Sequence, residues 1–69
     1  MIEVDARGLS CPIPVVKTKK ALSSKPDEAT VTVDNIAALE NVTRYAQAMK
    51  YEVQSRADGE DFILHLTKK

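Results

Sequence analysis

The sequence predicts an α+β two-layer sandwich, βαβαββ, with two helices on one face of a four-stranded mixed sheet. Three observations point to it. Two short segments alternate apolar and polar residues with the period of a strand and two more near the end read as strands, two longer ones repeat with the period of a helix, and an Asp58-Gly59 turn signal separates the last two strands.

Ile2, Val4 and Ala6 alternate with Glu3 and Asp5, which gives a first strand with one buried face. Arg7-Gly8-Leu9-Ser10 reads as a loop. Pro12 suits the first position of a helix, where no N–H donor is needed and its fixed φ is helical. That helix is expected to run to about Ser24, where Lys25-Pro26-Asp27 breaks it. At 100° per residue, Pro14, Val15, Thr18, Ala21 and Leu22 share its core face, while Ile13 and Val16 fall among Lys17, Lys19 and Lys20.

Ala29, Val31 and Val33 alternate with threonines in a β-branched second strand. Asp34-Asn35 then supplies an N-cap. From Ile36 to Lys50 a second helix presents Ala38, Leu39, Val42, Tyr45, Ala46 and Met49 as its core stripe. Tyr51 to Arg56 forms the third strand, and Phe62 to Thr67 the fourth.

Successive right-handed crossovers in one direction place both helices on the same face. Phe62-Ile63-Leu64-His65-Leu66 is the most apolar strand and therefore belongs inside the sheet, with the polar third strand at an edge. The predicted order is 1-2-4-3, strand 4 running antiparallel to the rest. The outer face then carries Glu3, Asp5, Thr30, Thr32, Glu52, Gln54 and Arg56. The loop before Cys11, the Asp34-Asn35 cap and the Asp58–Asp61 hairpin converge on the carboxyl edge of the parallel strands, where open α/β sheets usually place their sites.

At 69 residues the chain is one small domain, 1–69, without repeats or low-complexity segments. Burial of about 1.5–3 kcal/mol per large apolar side chain barely exceeds an ordering cost of about 1.5 kcal/mol per residue. One cysteine cannot form an internal disulfide, and one Cys with one His is not a metal site, so no metal and no cofactor are expected. Ten basic and ten acidic residues give zero net charge, which removes the electrostatic case for general nucleic-acid binding. Acids at Glu3 and Asp5 do not suit a signal peptide, and no apolar run reaches membrane-spanning length. With a free thiol, these features point to the cytoplasm.

The chemistry centres on Cys11. As N-cap of the first helix it would meet the positive end of the macrodipole, which stabilises a thiolate. Pro12 and Pro14 lack N–H groups and so leave the sulfur few local donors, while Lys17 and Lys20 add positive field. The competing reading is a buried small hydrophobe, the commoner fate of a lone cysteine. No second cysteine is present to resolve a disulfide, which favours group transfer over a dithiol cycle.

Asp5-Ala6-Arg7-Gly8-Leu9-Ser10-Cys11-Pro12-Ile13-Pro14 resembles the signature of the TusA/SirA-like sulfur-carrier family, with its Cys-Pro-x-Pro core. Val33-Asp34-Asn35, Glu40-Asn41-Val42, Arg44 and Tyr51-Glu52-Val53 resemble most the amino-terminal domain of YedF, a branch linked with selenium metabolism that usually continues into a DsrE-like domain. The resemblance spans the whole chain and implies the same βαβαββ fold. It also implies a sulfurtransferase-like carrier with little turnover of its own. Cys11 would accept sulfane sulfur from a cysteine desulfurase-type donor as a persulfide and pass it to a downstream acceptor protein. Pro12 and Pro14 match the family's prolines. Selenium in place of sulfur is an alternative cargo, and a non-catalytic binding or regulatory module is the alternative from another class. Lys50 departs from the YedF-like pattern, which has Gly before the Tyr and so suits a left-handed helix end.

Around Cys11, Arg7 would either steer an anionic donor or pair with Asp5 to fix the loop, and Gly8 would serve backbone geometry. Ile13 and Val16, rimmed by Lys17 and Lys20, form a candidate partner-docking patch. His65, on a strand that runs away from the cysteine edge, is expected on the solvent face near the far end rather than as a base.

Overall fold

A computed structural model describes residues 2–8 and 13–69. Its elements are β1 (Ile2–Asp5), α1 (Ile13–Leu22), β2 (Glu28–Val33), α2 (Ile36–Ala48), β3 (Tyr51–Asp58) and β4 (Asp61–Lys68). The sheet order is β1-β2-β4-β3, as the apolar character of β4 predicts. β1 and β2 are parallel, with Val4 opposite Val31, and β4 runs antiparallel to both β2 and β3.

Both helices pack on one face of this sheet. Ala29, Val31, Val33, Leu64 and Leu66 project from the central strands into the core and meet Leu22 of α1 and Ala38, Val42 and Ala46 of α2. Alternation along each strand sends their neighbours to the opposite, open face. The small residues Ala29, Ala38 and Ala46 let helix and sheet approach closely. Thr18 is fully buried on α1, and its hydroxyl donates to the Pro14 carbonyl at 2.9 Å, so no polar atom is stranded there.

Two expectations are corrected. The helices end earlier than expected, at Leu22 and Ala48. Met49 therefore caps α2 instead of extending its stripe, and its side chain is 45% exposed. Lys50 follows with φ +66°, the left-handed geometry that glycine would favour, its N–H bonded to the Gln47 carbonyl. The β3–β4 hairpin runs over Asp58–Asp61 as expected, with Asp58 opposite Asp61 and Gly59-Glu60 between them. Positive φ at Gly59 (+64°) but not at Glu60 is the pattern of a type II′ hairpin.

Candidate functional site

The carboxyl edge of β1 and β2 gathers the three segments expected there. β1 ends at Asp5, and the chain turns through Ala6, whose N–H still donates to the Thr32 carbonyl at 2.8 Å. Gly8 then takes φ +73°, a conformation that disfavours any residue with a Cβ even though open space surrounds the position. Its N–H donates to Asp34 Oδ2 at 2.7 Å. This bond ties the turn after β1 to the β2–α2 junction, across 26 residues of sequence.

Asp34 and its neighbour divide their work. Asn35 is the N-cap of α2 and accepts from the Ala38 N–H at 2.7 Å, so the Asp34 carboxylate is left to reach the Gly8 turn. The Gly8 N–H, and after it the Asn35 side chain, hold the Asp34 carboxyl below the usual carboxylate range.

Arg7 grips Asp5 in a fork, with Nε 2.9 Å from Oδ1 and an Nη 3.1 Å from Oδ2. The Arg7 N–H also donates to Asp5 Oδ1 at 3.1 Å. The side-chain bonds to Arg7, then this backbone bond, hold the Asp5 carboxyl down at about 2. The other Nη lies 3.6 Å from Asp61 Oδ2 on the hairpin. The Arg7 guanidinium thus sits between two carboxylates and joins the loop to the turn between β3 and β4.

Cys11 and Pro12, with Leu9 and Ser10, lie outside the described residues. Upstream stands the clamped Gly8 turn. Downstream, α1 starts at Ile13, and Pro14 is fully buried, so this proline of the motif anchors the first helical turn in the core. Ile13 and Val16 face outward, 44% and 45% exposed, and Lys20 is exposed beside them. Lys17 is exposed too, but its Nζ lies 3.4 Å from the Asp5 carbonyl oxygen, so it leans back toward the end of β1. Ile36, the first residue of α2, is 61% exposed at the same edge, an apolar surface residue outside the patch that the sequence predicts.

His65 points to the open face. It stands opposite Thr30 and Gln54 in mid-sheet, nearer the centre than expected, with Nε2 3.7 Å from Glu28 Oε1. The sheet separates it from the helix layer. Among the described residues no group of three or more His, Cys, Asp or Glu is arranged to hold a metal ion, and no helix is long and apolar enough to cross a membrane.

The model of one protein family, described as sulfurtransferase TusA, matches residues 2–68. This chain belongs to the TusA family. It is similar to a Methanocaldococcus jannaschii protein named "putative sulfur carrier protein", 38% identical over all of this chain and 95% of its own length. The crystal structure of a SirA-like protein from Desulfitobacterium hafniense superposes with a TM-score of 0.87 at 34% identity, covering 97% of this chain and 96% of that one. The four-stranded 1-2-4-3 sheet with its two helices thus matches the fold of that SirA-like protein.

Proposed function

We propose that this protein is a sulfur carrier that holds sulfane sulfur as a persulfide on Cys11 and relays it from a cysteine desulfurase-type donor to an acceptor protein. One observation carries the reading: the only cysteine of a TusA-family chain falls within Arg7-Gly8-Leu9-Ser10-Cys11-Pro12-Ile13-Pro14, between the Gly8 turn and α1.

In loading, the Cys11 thiolate attacks the outer sulfur of a donor persulfide. A new S–S bond forms at Cys11, the donor's S–S bond breaks, and the donor leaves as a thiolate. In delivery, an acceptor nucleophile takes the outer sulfur and Cys11 returns as the leaving thiolate. No net oxidation occurs in either step, so the absence of a resolving cysteine is no handicap. The protein's part is to keep the thiolate populated. The positive end of α1 favours it. Asp5 and Asp61 at the same edge oppose it, and Arg7, which pairs with both, offsets their charge.

Intact mass after incubation with a cysteine desulfurase and cysteine tests the proposal. The expected result is one added sulfur, lost on reduction and absent from Cys11→Ser. A chain that stays unmodified with several desulfurases would instead be a binding module. Selenium supplied to the same assay distinguishes cargo by the mass of the adduct. Thiol titration gives an independent check: the Cys11 pKa should lie below the free-cysteine value of about 8.5.

A further inference from the structure

The sheet has two edge strands, and they are unequal. β1 offers four residues, Ile2–Asp5, whereas β3 offers eight, Tyr51–Asp58. An edge strand presents a row of unpaired N–H and C=O groups, which natural chains blunt with lysines, a proline, a bulge or a very short strand. β3 has none of these: it contains no lysine or proline, and its register with β4 runs without a skip from Tyr51 to Asp58. The ladder also fixes where each backbone group points. The Lys50 carbonyl accepts from the Lys69 N–H at 3.3 Å, while the Lys68 N–H turns the other way, to the Asp27 carbonyl at 2.8 Å. Alternation from there aims the N–H and C=O of Glu52, Gln54, Arg56 and Asp58 at β4. Those of Tyr51, Val53, Ser55 and Ala57 point out of the sheet edge.

A second β3 running antiparallel must match outward groups to outward groups, so odd-numbered residues face odd-numbered ones. Among such registers, one is electrostatically consistent. With Gln54 opposite its own copy, Glu52 meets Arg56 of the second copy, Arg56 meets Glu52, and Lys50 comes level with Asp58. Centring on Val53 instead sets Lys50 opposite Arg56, and centring on Ser55 sets Glu52 opposite Asp58. Centring on Arg56 opposes two guanidiniums, and centres nearer the strand ends leave most of the strand unpaired. In the Gln54 register the Glu52–Arg56 pairs fall at the non-hydrogen-bonded positions. There opposed Cα atoms are only about 4.5 Å apart and side chains meet most closely. Among the described residues, neither Glu52 nor Arg56 has an ion-pair partner within its own chain. On the helix side Ser55 and Ala57 are small and exposed, so neither shields the edge.

We propose that this protein self-associates through β3, two copies pairing antiparallel about Gln54 to make one continuous eight-stranded sheet. Charge complementarity selects this occupant, because the strand's own charges are arranged as a self-complementary set. The two-fold axis stands perpendicular to the sheet, so both helix layers stay on one face. β2 and β4 lie between β3 and β1. The Gly8 turn and the start of α1 are therefore left uncovered, and the pairing is independent of the carrier reading.

The test is sedimentation equilibrium of the full chain, in reductant so that Cys11 cannot link two copies. A species of twice the chain mass should form and should weaken as salt rises, since exposed ion pairs are screened. Arg56→Glu sets carboxylates face to face and Glu52→Arg sets guanidiniums face to face, so each should raise the dimer Kd about tenfold or more. Mixed together, the two variants should form a heterodimer tighter than either homodimer, because every opposed pair is again of opposite charge. Lys19→Glu, an equal change of charge on α1, should leave the Kd within about twofold. Hydrogen exchange at the Val53 and Ser55 amides should slow as protein concentration rises. Circular dichroism of each variant should match the wild type, which separates association from folding. A wild type that stays monomeric at millimolar concentration would overturn the proposal. So would a dimer indifferent to Arg56→Glu, or a mixture with no preference for the heterodimer. Val53 and Ser55 amides protected only when a different protein is added would give the edge to a foreign strand and also overturn it.

Discussion

The two ends of the sheet are held by different means. At the carboxyl edge the chain is fixed by polar clamps in contact with solvent: Asp34 on the Gly8 N–H, Arg7 across Asp5 and Asp61, and Lys17 on the Asp5 carbonyl. At the opposite end Tyr51 is buried beneath the loop after α1, its hydroxyl donating to the Pro26 carbonyl at 2.7 Å. Burial, and then the nearby Asp27 charge, push the Tyr51 phenol up from its ordinary pKa. Exposed hydrogen bonds and ion pairs are individually weak, whereas a buried aromatic is worth several kilocalories. One end thus serves stability. The other sets the conformation of a loop, at little energetic gain to the fold.

The largest expected effect lies at the stable end. Tyr51→Ala removes a buried ring and leaves the Pro26 carbonyl without its donor, at a cost of about 3–5 kcal/mol. Urea denaturation should find the variant largely unfolded at room temperature, given the thin core of a domain this small.

Left-handed residues at the two ends give a paired test. Gly8→Ala should cost about 1–2 kcal/mol, since a Cβ is imposed at φ +73° although nothing lies near enough to clash. Lys50→Gly should do the opposite and stabilise by about 1 kcal/mol, because a left-handed lysine is relieved. Both changes can be read from denaturant midpoints. The pair fails if the two substitutions shift stability in the same direction.

Asp5 gives a smaller, pH-gated effect. Its native pKa, held to about 2, lies below the unfolded value of about 3.9. Its contribution is therefore complete above the unfolded value and lost as pH falls through the folded one. The stability curves of wild type and Asp5→Asn should differ near neutrality and converge toward pH 2. Smallest in global terms is Asp34→Ala. The urea midpoint should scarcely move, but hydrogen exchange at the Gly8 amide should accelerate as its acceptor disappears.

The sheet order was legible because a single strand, Phe62–Thr67, was apolar enough to demand an interior position. The burial of Val31, Val33 and Val42 was legible for a similar reason, since periodicity reports directly on which face is covered. Met49 was misplaced because periodicity continues past the point where the backbone leaves the helix. The hairpin over Asp58–Asp61 was legible from its Asp-Gly signal, and strand pairing places Gly59-Glu60 as its two turn residues. At the site, the motif indicated Asp5, Arg7 and Gly8, but the role of Asp34 was hidden by distance along the chain. A carboxylate beside an N-cap asparagine looks like part of the cap until the loop it holds is seen to lie against it.

That long-range bond also orders events in time. The β3–β4 hairpin closes over two residues and can pair early, whereas β1 must find β2 across a whole helix. Gly8 meets Asp34 only after this later pairing has brought the end of β1 beside the end of β2. In a nascent or partly opened chain the Gly8 turn therefore still lacks its long-range acceptor. The Gly8–Asp34 contact acts as a completion signal, present only in a molecule whose parallel strands have already closed.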